Sequence, residues 1–130
     1  MRIGIVVADF HRQIAREMLL RAQAKARGLG IVEVIAVVKV TGAFDVPLQL
    51  KRMLAREDID GAVVLGAVVQ GETSHDEVVA YTVAGSIMRL SLEYNKPVGY
   101  GISGPRMGLK QAKARAKEFA ERAVVAVARL

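Results

Sequence analysis

The chain has 130 residues, of which 52% are hydrophobic and 25% are charged, and it contains no cysteine. These values indicate one globular domain with a real core, and they exclude intrinsic disorder, disulfide bonds and thiolate metal sites. The net charge of +6 and the pI near 10.0 invite a nucleic-acid interpretation. However, the basic residues are spread over predicted helix faces, mixed with glutamates, and no aromatic residues are interleaved to stack on bases. We therefore expect solvated helix faces, no nucleic-acid partner, and a positive field that suits a small anionic substrate.

Two further classes of protein are excluded by the same inspection. His11 and His75 are the only histidines, too few for a histidine-built metal centre. The sequence starts directly on a strand pattern, and no apolar run is long enough to span a bilayer. We expect a soluble cytoplasmic protein without a membrane partner.

The first predicted unit is a strand followed by a helix. The β-branched run Arg2–Val7 predicts a buried strand that ends in the polar turn Ala8–His11. Phe10, in this turn, either stacks on a flat ligand or covers the edge of the core. An apolar stripe predicts the helix that follows, with Gly28 as its C-cap. The stripe consists of Ile14, Met18 and Ala22.

The second unit repeats this arrangement. Ile31–Val38 predicts a strand, and Thr41–Pro47 is a turn in which Pro47 opens the next helix at a position that tolerates proline. Asp45, just before that helix, either caps it or accepts hydrogen bonds from a hydroxylated ligand.

The third unit contains the most informative segment. Val63–Leu65 predicts a buried strand, and a polar loop leads to Ser74–Glu77, which matches a capping box and predicts a helix start at Ser74. The unpaired N–H groups of that first turn would form an anion site. The helix dipole there favours a neutral His75, which beside an anion can act as a general acid or base on a phosphorylated substrate. The alternative is that the capping residues only start a helix and His75 is a surface residue.

The fourth unit completes the pattern. The glycine-rich run Lys96–Ile102 predicts a strand that another backbone or a ligand approaches closely, and Ser103–Gly108 is a turn. In the last helix, Lys110, Lys113 and Arg115 lie in the first two turns, where cations oppose the helix dipole. This placement is mildly unfavourable unless an anion is nearby, so it hints at phosphate binding.

Strand and helix patterns thus alternate four times without a long linker or a repeat. This order predicts a single three-layer α/β/α domain over residues 1–130, with a four-stranded parallel sheet in the flavodoxin-like order 2-1-3-4. The first helix does not open with a Gly-x-Gly-x-x-Gly or a phosphate-loop lysine motif, which argues against dinucleotide or ATP binding.

Three segments together resemble the lumazine synthase family, in a short archaeal-like form. They are Gly42–Pro47, Gly66–His75 and Pro97–Arg115, the last including Gln111-Ala112. The resemblance implies a cofactor-free condensation of riboflavin biosynthesis. It joins 5-amino-6-(D-ribitylamino)uracil to 3,4-dihydroxy-2-butanone 4-phosphate and gives 6,7-dimethyl-8-ribityllumazine, phosphate and water.

The resemblance also implies roles for single residues. His75 matches the proton-transfer histidine of the family, and the butanone phosphate would be held by Glu72, Thr73 and Arg115. The ribitylaminouracil would be held by Phe10, Ala43, Phe44, Asp45, Ala67, Val68, Val69 and Tyr100. Asp45 replaces a usual glutamate, while Asp76 and Val78 replace usual aromatics.

The family resemblance further implies self-association. Its members form homopentamers, sometimes twelve of them in a 60-subunit shell, with active sites at subunit interfaces to which a neighbour contributes Tyr100 and Arg115. Two alternatives remain at the level of sequence. One is an archaeal-type riboflavin synthase, which would dismutate two lumazine molecules. The other is a non-catalytic shell or flavin-binding protein of the same fold.

Overall fold

Four strands and four α-helices alternate along residues Met1–Leu130, all of which the structure, a computed structural model, describes. The strands are β1 (Arg2–Ala8), β2 (Glu33–Val40), β3 (Gly61–Ala67) and β4 (Val98–Ser103). The helices are α1 (Arg12–Leu29), α2 (Val46–Leu54), α3 (His75–Tyr94) and α4 (Leu109–Arg129), and a 3-10 turn, Ala43–Asp45, precedes α2. All neighbouring strands are parallel and lie in the order β2-β1-β3-β4, which confirms the predicted topology. None of the helices is long and apolar enough to cross a membrane.

The sheet separates two apolar cores. Successive side chains of a strand point to opposite faces, so Ile5 and Val7 of β1 pack in the core with α1 and α4, and Val6 packs in the core with α2 and α3. Burial on both faces explains why the inner strands are continuous apolar runs instead of alternating ones. The three-layer α/β/α arrangement predicted from the sequence is therefore confirmed.

Helix α1 continues past the C-cap predicted for it. Gly28 lies inside the helix, and Gly30 is the C-cap, with a left-handed φ of 72° and its N–H donating to the carbonyl of Ala26 at 3.3 Å. The prediction of Gly28 was wrong because a helix interior tolerates glycine, and the backbone needs the left-handed conformation only where the chain turns back. Strand β2 accordingly begins at Glu33, two residues later than predicted.

Helix α4 packs directly on the backbone of strand β4. A Cβ atom built on Gly99 would collide with the main-chain carbonyl of Ala123 in α4, and one on Gly101 would lie 3.1 Å from the Ala123 Cβ. The expectation that another backbone closely approaches this strand is confirmed. Glycine at these positions lets the two elements lie closer than any side chain would allow.

At the amino edge of the sheet, where helices lead into strands, a lysine before β4 is hydrogen-bonded to the end of α2. The Lys96 Nζ donates hydrogen bonds to the carbonyls of Leu54 and Arg56, each at 2.8 Å. Leu54 is the last residue of α2, so the ammonium group satisfies carbonyls that the helix end leaves without partners.

The contact at Gly99 can be tested by adding one methyl group. We expect Gly99→Ala to lower the free energy of unfolding by about 3 kcal/mol, because the carbonyl of Ala123 belongs to a helix backbone that cannot move aside. Gly28→Ala is the matched control: nothing lies within 4 Å of its Cβ position, so it should stabilise the protein by about 0.5–1 kcal/mol. Urea unfolding followed by circular dichroism at one protein concentration measures both. Equal stability of the two variants would contradict the close approach of α4 to β4.

Candidate functional site

Most of the predicted site residues meet at the carboxyl edge of the sheet. All four strands are parallel, so the loops after β1, β2 and β3 leave from the same edge, which is where open α/β sheets bind ligands. Ten of the predicted residues belong to these loops or their borders. They are Phe10, Ala43, Phe44, Asp45, Ala67, Val68, Val69, Glu72, Thr73 and His75.

Two aromatic rings stand exposed at this edge. The side chain of Phe10 is 71% exposed and that of Phe44 is 64% exposed. The Phe10 ring lies edge-on to His11, with ring centroids 5.0 Å apart. A ring with this exposure contributes little to the core, since the hydrophobic stabilisation scales with the area removed from water. Both rings are therefore accessible to a flat ligand.

Asp45 closes the turn that presents Phe44. Its Oδ2 accepts a hydrogen bond from the Gly42 N–H at 3.0 Å, and the bond closes the 3-10 turn Ala43–Asp45. The side chain makes no capping hydrogen bond to helix α2. The expectation that Asp45 caps α2 was wrong, because its carboxylate bonds to the turn before the helix, and the role toward a hydroxylated ligand stays a prediction.

In the segment after β3, some main-chain N–H groups donate to protein carbonyls and others have no protein acceptor. The Val68 N–H donates to the Ser103 carbonyl and the Gln70 N–H to the Met107 carbonyl, both at 2.8 Å. Between them, the N–H of Val69 has no protein acceptor. The same holds for Gly71–Ser74, whose four N–H groups donate to no protein group. Unpaired donors ahead of a helix are the feature that an anion site requires.

Helix α3 begins where predicted, but the capping box is wrong. Ser74 occupies the N-cap position without a side-chain capping hydrogen bond. Instead, Thr73 Oγ1 accepts a hydrogen bond from the His75 N–H at 3.3 Å. Glu77, the expected partner of Ser74, forms an ion pair with Arg106 at 2.8 Å. A long-range ion pair thus takes the carboxylate that a local capping motif would have used. The His75 side chain is exposed and makes no hydrogen bond within the chain.

A polar cluster beside His75 was missed by the sequence analysis. Asp76 is a buried carboxylate, 5% exposed, whose Oδ2 accepts a hydrogen bond from the Arg106 main-chain N–H at 2.9 Å. Arg106 has a left-handed φ of 60°. Its Nε donates to Glu77 Oε1, and this hydrogen bond, followed by the charge of Glu77, raises the pKa of the Arg106 guanidinium. The partners are about thirty positions apart, so no local sequence pattern relates them.

Tyr100 and Arg115 are not brought to the edge residues within one chain. Tyr100 lies in the middle of β4, opposite Val64, and its side chain is 38% exposed. Burial raises the pKa of the Tyr100 phenol above its ordinary value. Arg115 is exposed on α4 and forms no ion pair. Two cavities of about 470 and 430 Å³ lie along α1 and β2 and contain none of the predicted residues.

The fold is that of an open parallel α/β protein, a class in which ligands generally bind at the carboxyl ends of the strands. Residues 1–130 match the family model of 6,7-dimethyl-8-ribityllumazine synthase. A relative of that name from Metallosphaera sedula is 51% identical over 95% of this chain and 81% of its own length. Relatives of the same name from Picrophilus torridus and Saccharolobus solfataricus are each 50% identical, over 95% and 99% of this chain and 92% and 83% of their own lengths. The chain therefore belongs to the 6,7-dimethyl-8-ribityllumazine synthase family, which confirms the resemblance.

The start of α3 yields a test that separates the structure from the capping-box prediction. We expect Thr73→Ala to lower the free energy of unfolding by about 1 kcal/mol, because the His75 N–H loses its acceptor. Thr73→Ser keeps the hydroxyl and should be near wild type. Ser74→Ala should change stability by less than about 0.5 kcal/mol, since its hydroxyl caps nothing. Thermal unfolding of the three variants measures this order of stability. A larger loss of stability in Ser74→Ala than in Thr73→Ala would support the capping-box prediction instead.

Proposed function

We propose that this protein is a transferase that condenses 5-amino-6-(D-ribitylamino)uracil with 3,4-dihydroxy-2-butanone 4-phosphate. The products are 6,7-dimethyl-8-ribityllumazine, phosphate and water. The observation that carries the proposal is membership of the 6,7-dimethyl-8-ribityllumazine synthase family over all 130 residues. No cofactor is invoked, because the chemistry needs only two oriented substrates, recognition of a phosphate and a proton shuttle. The cytoplasmic location expected from the sequence stays a prediction.

The ribitylaminouracil is assigned to the loops after β1, β2 and the end of β3. Phe10 stacks on the pyrimidine ring, and the turn Ala43–Asp45 holds the ring edge and the ribityl chain. The N–H of Val69, which has no protein acceptor, supports recognition of the uracil by the main chain of Ala67–Val69. The exposure of the Phe10 and Phe44 rings, 71% and 64%, supports contact with a flat ligand.

The butanone phosphate is assigned to the turn before α3. Glu72 and Thr73 belong to a segment whose main-chain N–H groups are unpaired, and the positive end of the helix dipole favours an anion there. His75, two residues after Thr73, is exposed and therefore able to transfer protons to and from the bound substrates. Arg115 grips the phosphate with two parallel hydrogen bonds, as a guanidinium can.

We also propose that the protein acts as a homopentamer, or as a 60-subunit shell of pentamers, with a neighbour providing Tyr100 and Arg115. Within one chain, Arg115 makes no ion pair, and the residues of the carboxyl edge form an open surface. Helix α3 supports self-association because it carries a second apolar stripe opposite its buried one. Exposed apolar surface of this kind marks protein–protein contacts. The stripe consists of Val78, Tyr81, Met88 and Leu92, which are between 58% and 73% exposed.

The reaction itself is tested by incubating the purified protein with both substrates in the absence of added metal or cofactor. We expect the absorbance of the lumazine to appear, and we expect His75→Ala to lower kcat by roughly 100- to 1000-fold through loss of the proton shuttle. Riboflavin formed from lumazine alone would instead favour the riboflavin synthase alternative. Tight flavin binding without turnover of either substrate set would favour the non-catalytic alternative.

The shared site is tested by mixing two inactive variants. Neither Arg115→Ala nor His75→Ala assemblies contain an intact site, whereas mixed assemblies contain interfaces where an intact Arg115 faces an intact His75. We therefore expect mixing to restore a fraction of the wild-type rate. Arg129→Ala, an exposed cation in the last turn of the same helix, is the control and should be active without mixing. If subunits demonstrably exchange, each variant assembles and no activity returns, then the two residues do not act across an interface.

A further inference from the structure

One polar cluster is not accounted for by the roles assigned so far. Asp76, Glu77 and Arg106 join the first turn of α3 to the β4–α4 loop, Gly104–Gly108. Asp76 and Ser103 are the only buried polar or charged residues of the chain, and desolvating a carboxylate is unfavourable unless hydrogen bonds compensate for it. The burial of the Asp76 carboxylate is not explained by capping of α3, because its hydrogen-bond partner is the Arg106 N–H.

The β4–α4 loop is hydrogen-bonded to the chain at both ends of the segment Gly71–His75. At the first end, the Gln70 N–H donates to the Met107 carbonyl at 2.8 Å. At the second end, Asp76 Oδ2 accepts the Arg106 N–H at 2.9 Å. Arg106 and Met107 are consecutive, so two adjacent residues set the distance that the segment Gly71–His75 must span.

Between those two anchors the main-chain hydrogen bonds to the rest of the chain lie at the helical end of the segment, where the Ser74 carbonyl accepts the N–H groups of Glu77 and Val78. Gly71–Ser74 donate no main-chain hydrogen bond to the protein, and the bond from the His75 N–H to Thr73 Oγ1 is internal to the segment. The residues are exposed on the carboxyl edge. Their conformation therefore depends on where Gln70 and the first turn of α3, which contains Asp76, are fixed.

The backbone of Arg106 is shaped for this contact. Its φ of 60° is in the left-handed region, which a side chain other than glycine, asparagine or aspartate adopts infrequently. The Arg106 N–H is directed to the buried Asp76, while its side chain, 70% exposed, reaches Glu77. Exposed ion pairs of this kind contribute little, so the main-chain bond to Asp76 is the principal anchor and the ion pair is secondary.

We propose that Asp76 is a positioning residue, which through the Arg106 main chain sets the span of Gly71–His75 and thereby the placement of the phosphate turn and His75. This rests on the proposed function of that segment. Asp76 itself touches no substrate. Val68 and Val69 precede Gln70, the first anchor. Val68 is held by Ser103 and Gln70 by Met107, and neither bond involves Asp76. Recognition of the uracil is therefore independent of Asp76.

The inference predicts a selective kinetic defect. Asp76→Ala should lower kcat by about 10- to 100-fold, the effect of displacing reacting groups by about an ångström. It should also raise KM for the butanone phosphate while leaving KM for the ribitylaminouracil within about twofold of wild type. Asp76→Asn should restore most of kcat, because its carbonyl oxygen still accepts the Arg106 N–H. The second carboxylate oxygen of Asp76 has no protein donor. Since no buried side-chain oxygen lacks a partner, this oxygen must reach solvent. The amide nitrogen of asparagine can therefore take its place.

Two further variants separate the main-chain bond from the ion pair. Arg106→Gly keeps the N–H and favours the left-handed backbone, so kcat should fall by less than about fivefold, as expected for loss of an exposed ion pair. Glu118→Gln, which breaks the exposed pair with Arg122 on α4, is the matched control and should leave kcat at the wild-type value. If Asp76→Ala does not fold, Asp76→Ser, whose shorter side chain cannot reach Arg106, takes its place.

Amide hydrogen exchange gives a readout that does not depend on turnover. Exchange of the Arg106 amide, which loses its acceptor, and of the His75 amide, which donates to Thr73, should quicken in Asp76→Ala and return to the wild-type rate in Asp76→Asn. Unchanged exchange in Asp76→Ala, an unchanged kcat, or a loss that Asp76→Asn does not restore would each overturn the positioning role. If the wild-type protein forms no lumazine, the proposed function fails, and the exchange comparison alone then decides whether Asp76 fixes the segment.

Discussion

The close packing of helix α4 on strand β4 is the constraint on which the rest of the carboxyl edge depends. Gly99 has no side chain, so the backbone of α4 at Ala123 lies directly on the strand. The loop Gly104–Gly108 joins these two elements, and the residue before it, Ser103, is placed by the hydrogen bond from the Val68 N–H to its carbonyl. A loop that begins and ends on such a fixed pair of elements is itself well placed. It can therefore serve as a reference for the neighbouring β3–α3 loop, which carries the proposed chemistry.

The neighbouring loop shows a division among its main-chain donors. Those of Val68 and Gln70 bond to the β4–α4 side, whereas those of Val69 and Gly71–Ser74 have no protein acceptor. Leaving donors unpaired is tolerable at an exposed edge, because water satisfies them until a ligand does. Buried donors without partners would instead destabilise the fold. The exposed position of the loop is thus what allows the same backbone to be both ordered and available to bind.

The sequence predicted the features that repeat locally or are set by topology. Apolar periodicity located all four strands and helices, and the alternation of elements led to the order β2-β1-β3-β4 and hence to one edge for the loops. The error at the start of α3 occurred where a local rule met a distant partner. The capping box at Ser74 failed because Glu77 pairs with Arg106, and Asp76, noted only as a departure from the family, proved to be a buried acceptor. Sequence spacing does not report which residues meet across a sheet edge.

The amino edge of the sheet has a polar network of its own, centred on the Lys96 ammonium and the carbonyls at the end of α2. No hydrogen bond connects this network to the β3–α3 or β4–α4 loops, and the sheet lies between them. The residues of the proposed site therefore lie at one edge, and the amino edge is held by hydrogen bonds of its own, such as that from the Arg2 N–H to Asp60. Foreign peptides grafted into the amino-edge turns, with Lys96 retained, would be displayed on a scaffold whose opposite rim is undisturbed.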